Sequence, residues 1–155
     1  MRLSIVAFVV AVLAVSASAQ TGGKAEVFSA QSVREKLDAL GTQAKTAGSS
    51  GATLADYGSH KLQLSLRTTS GGGEIHAHFD DVLIVQQGTA TLITGGSLID
   101  PKTSADGETR GKGIQGGKTQ TISAGDVVMV NAGVPHQIIV PAGTLYSALV
   151  IKVKE

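Results

Sequence analysis

From residue 61 to the end of the chain, apolar residues recur with a period of two. Leu62, Leu64 and Leu66 alternate with Gln63, Ser65 and Arg67, the pattern of a strand with one buried face. Gly71, Gly72 and Gly73 break it, and further strands are predicted at 75–79, 82–86, 89–94, 119–122, 127–130, 136–140 and 145–153. A different period precedes them. Val33, Leu37, Leu40 and Ala44 fall at helical spacing, and Ser32 with Glu35 three residues on reads as a capping box. A short amphipathic helix is therefore expected over 32–44, with Gly41 a candidate early stop. The stretch 46–59 is rich in Gly, Ser and Ala and is expected to be loop. Short strands punctuated by glycine, with one helix ahead of them, indicate an all-β barrel or sandwich.

One segment interrupts the rhythm. Residues 95–117 hold seven glycines, with Asp100-Pro101 and Asp106-Gly107 as turn signals. That is long for a connection in a compact domain. A flap closing over a site competes here with a disordered insert or a surface hairpin that takes no part in chemistry.

The amino terminus carries a third pattern. Arg2 precedes an apolar run over 3–15, and Ala17-Ser18-Ala19 then places small residues where signal peptidase needs them. Residues 3–19 would span roughly 25 Å as a helix, short of a comfortable ~30 Å membrane crossing. Export with cleavage before Gln20 is expected, to the periplasm or the extracellular space, with no stable membrane association afterwards. The chain has no Cys and no twin-Arg pair, which excludes a lipoprotein anchor and favours the general secretion route. The expected organisation is a signal peptide over 1–19, a linker, short helix and loop over 20–60, and a β-barrel domain over 61–155.

Composition narrows the function further. Arg2 is the only charge in the signal, so the remaining 12 basic and 12 acidic residues cancel. A neutral chain lacks the basic footprint that nucleic acid requires. Phe28, Tyr57, Phe79 and Tyr146 are the only aromatics after residue 19, too few for stacking platforms. The absence of Cys excludes thiolate chemistry and finger-type zinc sites. The glycines of 71–73 do not lead into a helix, which removes an anion-cradling reading.

The candidate chemistry rests on histidine, of which there are four: His60, His76, His78 and His136. His76 and His78 stand two apart on a predicted strand, so both imidazoles are expected on one face. Two neutral imidazoles there form a nitrogen pair suited to a first-row transition metal. Asp81 follows three residues after His78 and adds a carboxylate. Glu74 shares the parity of the pair and is expected as a solvated edge residue, with the mouth of such a site as the alternative. His60 has no partner in sequence and reads as a surface residue.

The run from Gly71 to Gly88, with His76-Ala77-His78, then Asp81 and a Gly seven positions later, resembles the first motif of the cupin family. The run from Gly125-Asp126 through Gly133 to His136 resembles the second. The resemblance covers about 62–153. It implies a double-stranded β-helix barrel, preceded here by one short α-helix. It also implies a single divalent metal (Zn, Mn, Fe, Cu, Ni or Co) held by His76, His78 and His136 with Asp81 as the carboxylate, Glu74 or Asp80 being the alternative acids. Three departures stand out: a shorter loop between His78 and the acid, Asp81 where Glu is commoner, and Asn131 and Val140 where Pro and Asn are usual. The implied partner is a small molecule, either a substrate of metal-assisted chemistry or a ligand bound without turnover, and a homodimer is compatible with the family. The export reading predicts that mass spectrometry of the mature protein finds Gln20, or its cyclised form, at the amino terminus. A product that begins at Met1 and stays in the cell would contradict it.

Overall fold

Ser29 caps the first element of the described residues, its Oγ accepting from the Ser32 N–H at 3.1 Å. The computed structural model describes residues 25–155, so the export segment lies outside the described residues. Helix α1 spans Ala30–Ala47 and stops at Gly48, which adopts φ 80° and donates its N–H to the Ala44 carbonyl at 2.8 Å. The helix is thus longer than the sequence pattern indicates, and Ser29 rather than Ser32 is the cap. Gly41 does not end it, because the buried stripe of Leu37, Leu40 and Ala44 runs past that position.

Thirteen strands follow: β1 (Ser49–Asp56), β2 (His60–Arg67), β3 (Gly73–His76), β4 (Phe79–Gln87), β5 (Thr89–Thr94), β6 (Ser97–Ile99), β7 (Lys102–Thr103), β8 (Glu108–Gly111), β9 (Gly113–Gln115), β10 (Lys118–Ser123), β11 (Val127–Val130), β12 (His136–Ile139) and β13 (Tyr146–Lys154). One sheet has the order β1-β2-β13-β4-β11, a second β10-β5-β12-β3-β8-β7, and β6 pairs with β9. All pairings are antiparallel. The two large sheets enclose a core that includes Leu83, Val85, Leu92, Ile138, Val140, Ala148 and Val150. The barrel is a double-stranded β-helix with one helix against its outside.

Two expectations from sequence are corrected. The stretch read as loop contains β1, an edge strand whose Ser, Gly and Ala residues are held by pairing with β2 and by α1 rather than by their own propensity. The single strand expected over 75–79 is two: β3 ends at His76, Ala77 and His78 form a turn, and β4 begins at Phe79.

The glycine-rich segment is also resolved. Residues 95–117 form β6 to β9, and β8 pairs with β3 on one side and β7 on the other. Its glycine neighbours serve close approach. A Cβ on Gly72 would sit 2.3 Å from the Gly111 carbonyl oxygen, and one on Gly73 would sit 2.4 Å from Leu98 Cδ2. The segment belongs to the sheet and is not a free flap.

Strand β2 has two covered faces of opposite chemistry. Leu64 and Leu66 pack outward beneath Leu37 and Leu40 of α1, while Lys61, Gln63, Ser65 and Arg67 line an interior cavity. Leu66, 2% exposed, therefore belongs to the helix–sheet layer and not to the cavity. Leu66→Ala is expected to lower unfolding free energy by about 2–5 kcal/mol, read as a lower urea midpoint.

Candidate metal centre

The register of β3 assembles the site. Glu74 lies opposite His136 of β12 on one side and Arg110 of β8 on the other, and His76 lies opposite Glu108. Directly opposed residues share a sheet face, and Glu74 and His76, two apart, share that face as well. The Ala77-His78 turn then carries the chain into the facing sheet, where Asp81 of β4 points back into the same space. Both imidazoles and the Asp81 carboxylate are buried, the side chain of Glu74 nearly so.

The imidazoles are oriented through their Nδ1 atoms. His76 Nδ1 meets Glu108 Oε2 at 2.5 Å, and His136 Nδ1 donates to the Val134 carbonyl at 3.1 Å. Both Nε2 atoms are left for the interior. His76 Nε2 is 3.2 Å from Asp81 Oδ2 and 3.8 Å from Glu74 Oε2, and His136 Nε2 is 3.9 Å from Asp81 Oδ2. The two rings lie 5.0 Å apart, tilted by 57°.

The surrounding charges form a continuous network. Asp81 Oδ1 pairs with Lys152 Nζ at 2.7 Å. Glu74 Oε1 faces Arg110 at 3.0 Å and Arg67 at 3.4 Å, while its Oε2 faces His76. Burial pushes against ionisation of Asp81, but its bonds to His76 and Lys152 outweigh that and hold its pKa below the usual carboxylate range. The imidazoles split. Burial opposes the charged form of His76 too, yet the Asp81 carboxylate and then Glu108 raise its pKa above the ordinary value, against Lys152. Burial dominates at His136 and lowers its pKa, only partly offset by the Val134 carbonyl. His136 is thus a neutral donor at pH 7.

The donor set fits a metal ion. One donor atom each from Glu74, His76 and His136 lie within 4.8 Å of one another. Bond lengths of about 2.0–2.2 Å give donor–donor separations of about 3–4.4 Å, so the set needs to contract only slightly. Nitrogen and oxygen donors without sulfur match first-row divalent ions. The expected parity of His76 and His78 does not hold, because the strand ends at His76. His78 sits exposed in the turn, its ring against Gly107. Asp80 turns to the β11–β12 loop and accepts from the Ala132 N–H at 2.7 Å. His60 stacks on Tyr57 at 4.9 Å, apart from the cluster.

Sequence reasoning missed Glu108, Arg110 and Lys152. Glu108 and Arg110 stand two apart at shared strand parity, but within the glycine-rich segment. Lys152 keeps the parity of Tyr146, Ala148 and Val150 on β13, the face that lines a cavity of about 550 Å³.

Known structures share this architecture. The Schizosaccharomyces pombe Cnp3 cupin domain aligns with TM-score 0.52 and 10% identity over 69% of this chain and 61% of that one. A predicted oxalate decarboxylase of Thermotoga maritima aligns with TM-score 0.52 and 16% identity over 69% and 81%. The chain has the cupin fold. The DMSP lyase DddQ of Ruegeria pomeroyi aligns at TM-score 0.50 and 14% identity over 70% of the chain, which spans about half of that protein (48%). No protein-family model matches the sequence, and no curated protein does.

One pH effect follows from the cavity wall. Burial pushes the Tyr146 phenol up to about 12, against a smaller pull from Arg67. The unfolded chain loses that proton near pH 10, so the folded state binds more protons between about pH 10 and 12 and stability falls across that window. Two pKa units correspond to about 3 kcal/mol. Absorbance at 295 nm should show a phenol titrating near pH 12 in the folded protein, and Tyr146→Phe should remove both that step and its share of the alkaline loss of stability.

Proposed function

We propose that this is an exported metal-binding protein of cupin fold that handles a small molecule in its barrel. His76 and His136 supply the imidazoles, Glu74 the carboxylate, and Asp81 stands beside them as a second acid. The observation that carries the reading is the convergence of two Nε2 atoms and two carboxylates at one cavity, each imidazole being fixed through its other nitrogen. When bound, a divalent ion would supply Lewis-acid activation of an oxygen-bearing ligand. Around it, Glu108 fixes the tautomer and angle of His76, and the Val134 carbonyl does the same for His136. Lys152 holds one oxygen of Asp81, which leaves the other facing the imidazoles. His78 has no place in this set while it stays in the exposed turn, and Glu74 takes the third position.

Plain binding without turnover is the second reading. The pairing of Asp81 with both Lys152 and His76 favours it, since a carboxylate so engaged is not poised as a free base. The binding site is the same in either case.

Elemental analysis of exported protein, and of protein reconstituted with Zn, Mn, Fe, Co, Ni or Cu, tests the centre. His76→Ala, His136→Ala and Glu74→Ala should each sharply lower metal content, whereas His60→Ala and His78→Ala should not. Glu108→Gln should weaken affinity about 10–100-fold, the usual effect of removing a partner that orients a metal-bound imidazole. Because imidazole ligates in its neutral form, metal should be released as pH falls below about 6. Absence of metal both as exported and after reconstitution would overturn the reading.

A further inference from the structure

The wall of the cavity formed by β2 and β13 touches the metal centre through Arg67 on Glu74 and Lys152 on Asp81, and it stays polar beyond those contacts. Arg67 and Tyr146 are directly opposed across those strands, and both line the cavity. Tyr146 is 1% exposed, and its hydroxyl is buried without a hydrogen-bond partner. A buried hydroxyl left unmatched is destabilising, so a strand position that a phenylalanine could fill carries a donor with no protein acceptor. The Arg67 guanidinium presents five N–H donors, and its one side-chain hydrogen bond among the described residues is a long 3.4 Å contact to Glu74 Oε1. Glu74 has a closer partner in Arg110, at 3.0 Å. The guanidinium is also seated. Gly71 packs against it, and a Cβ there would stand 2.6 Å from Nη1.

The charge of the lining points the same way. Lys61, Arg67, Arg110 and Lys152 face Glu74, Asp81, Asp106 and Glu108, four cations against four acids. With both imidazoles neutral, as metal ligation requires, these side chains balance, and a divalent ion at the metal centre would leave the cavity with a surplus of two positive charges. An anionic ligand restores the balance.

We propose that Arg67 and Tyr146 form the seat for a carboxylate group of a small organic acid, beside the metal centre in the same cavity. The planar guanidinium fork matches a carboxylate's two oxygens, and the Tyr146 hydroxyl donates a further hydrogen bond. Ser65 and Gln63, next along the cavity face of β2, supply neutral polar contacts for the rest of the molecule. The proposal deepens the functional reading above and rests on the cavity being the ligand site.

Calorimetric titration of the mature protein with malonate and with neutral malonamide, zinc-loaded and chelator-treated, tests the seat. Malonate should bind, malonamide at least tenfold more weakly. Tyr146→Phe, which keeps the ring and removes only the unmatched hydroxyl, should weaken malonate about tenfold, the loss of a hydrogen bond to a charged group, with zinc content and folding retained. Arg67→Gln should weaken it by at least as much. Malonate that binds with full affinity to folded Tyr146→Phe, malonamide that binds as well as malonate, or no binding of malonate at all would overturn the seat. The two readings fail separately. Binding that depends on Arg67 and Tyr146 in a protein that takes up no metal keeps the seat and removes the metal centre. Zinc uptake with malonate affinity indifferent to both residues keeps the centre and removes the seat.

Discussion

Strand β3 is four residues long, and the whole site depends on its being hydrogen-bonded on both sides. β12 fixes Glu74 against His136, and β8 fixes His76 against Glu108. A slip of one residue would turn both β3 side chains to the other face of the sheet. The register is pinned sterically as well as by hydrogen bonds, because Gly72 and Gly73 admit the Gly111 carbonyl and the Leu98 side chain into space that any Cβ would occupy. The glycine-rich segment is therefore part of the device that holds a histidine in position. Its Gln137 tether works to the same end. That side chain accepts from the Ile114 N–H and donates to the Gly71 carbonyl, tying β9 to the approach of β3.

A second constraint decides what kind of interior the barrel has. Helix α1 covers the outer face of the β2 layer, so the leucines of β2 have an apolar surface to meet outside the barrel. The alternate positions are then free to be polar inside it. Polar and charged groups in so enclosed a space are tolerated only when paired, and nearly all of them are: Asp81 with Lys152, Glu74 with Arg110, Glu108 with His76. The electrostatics also separate two imidazoles 5.0 Å apart. Asp81 draws a proton to His76, while burial, together with the charge of His76, keeps His136 neutral. Protonation of both would place like charges side by side in a poorly solvated site.

The likeness to known cupin structures lies at 10–16% identity for those compared above and concerns the arrangement of strands. A scaffold of this kind hosts many chemistries, so function has to be argued from the side chains that this chain places in the cavity. Those side chains differ from the pattern of the two motifs in one respect that matters. The turn after β3 is tight enough to carry His78 out of the barrel, and the carboxylate of Glu74, two residues before His76 on the same strand, occupies the interior instead.

The sequence by itself determined the fold class. Alternation of apolar and polar residues and glycine at the turns were sufficient for an all-β barrel or sandwich with one helix ahead of it, because these are local patterns with period-specific geometry, and the resemblance of two spaced motifs to the cupin pattern implied the double-stranded β-helix. It also singled out His76, His136 and Asp81, which the fold brings to one place from two sheets. Tertiary structure decided the rest. Whether His78 faced in or out depended on where β3 ended, and that is set by the partners of β3 and not by its own residues. β1 is a strand only because β2 and α1 hold it, and the polar stripe of β2 faces inward only because α1 claims its leucines. Glu108, Arg110 and Lys152 could not be read as site residues, since each reaches the cavity through pairing with a strand distant in sequence. Period and spacing report which residues share a face; which face becomes the interior is decided by what packs against the other one.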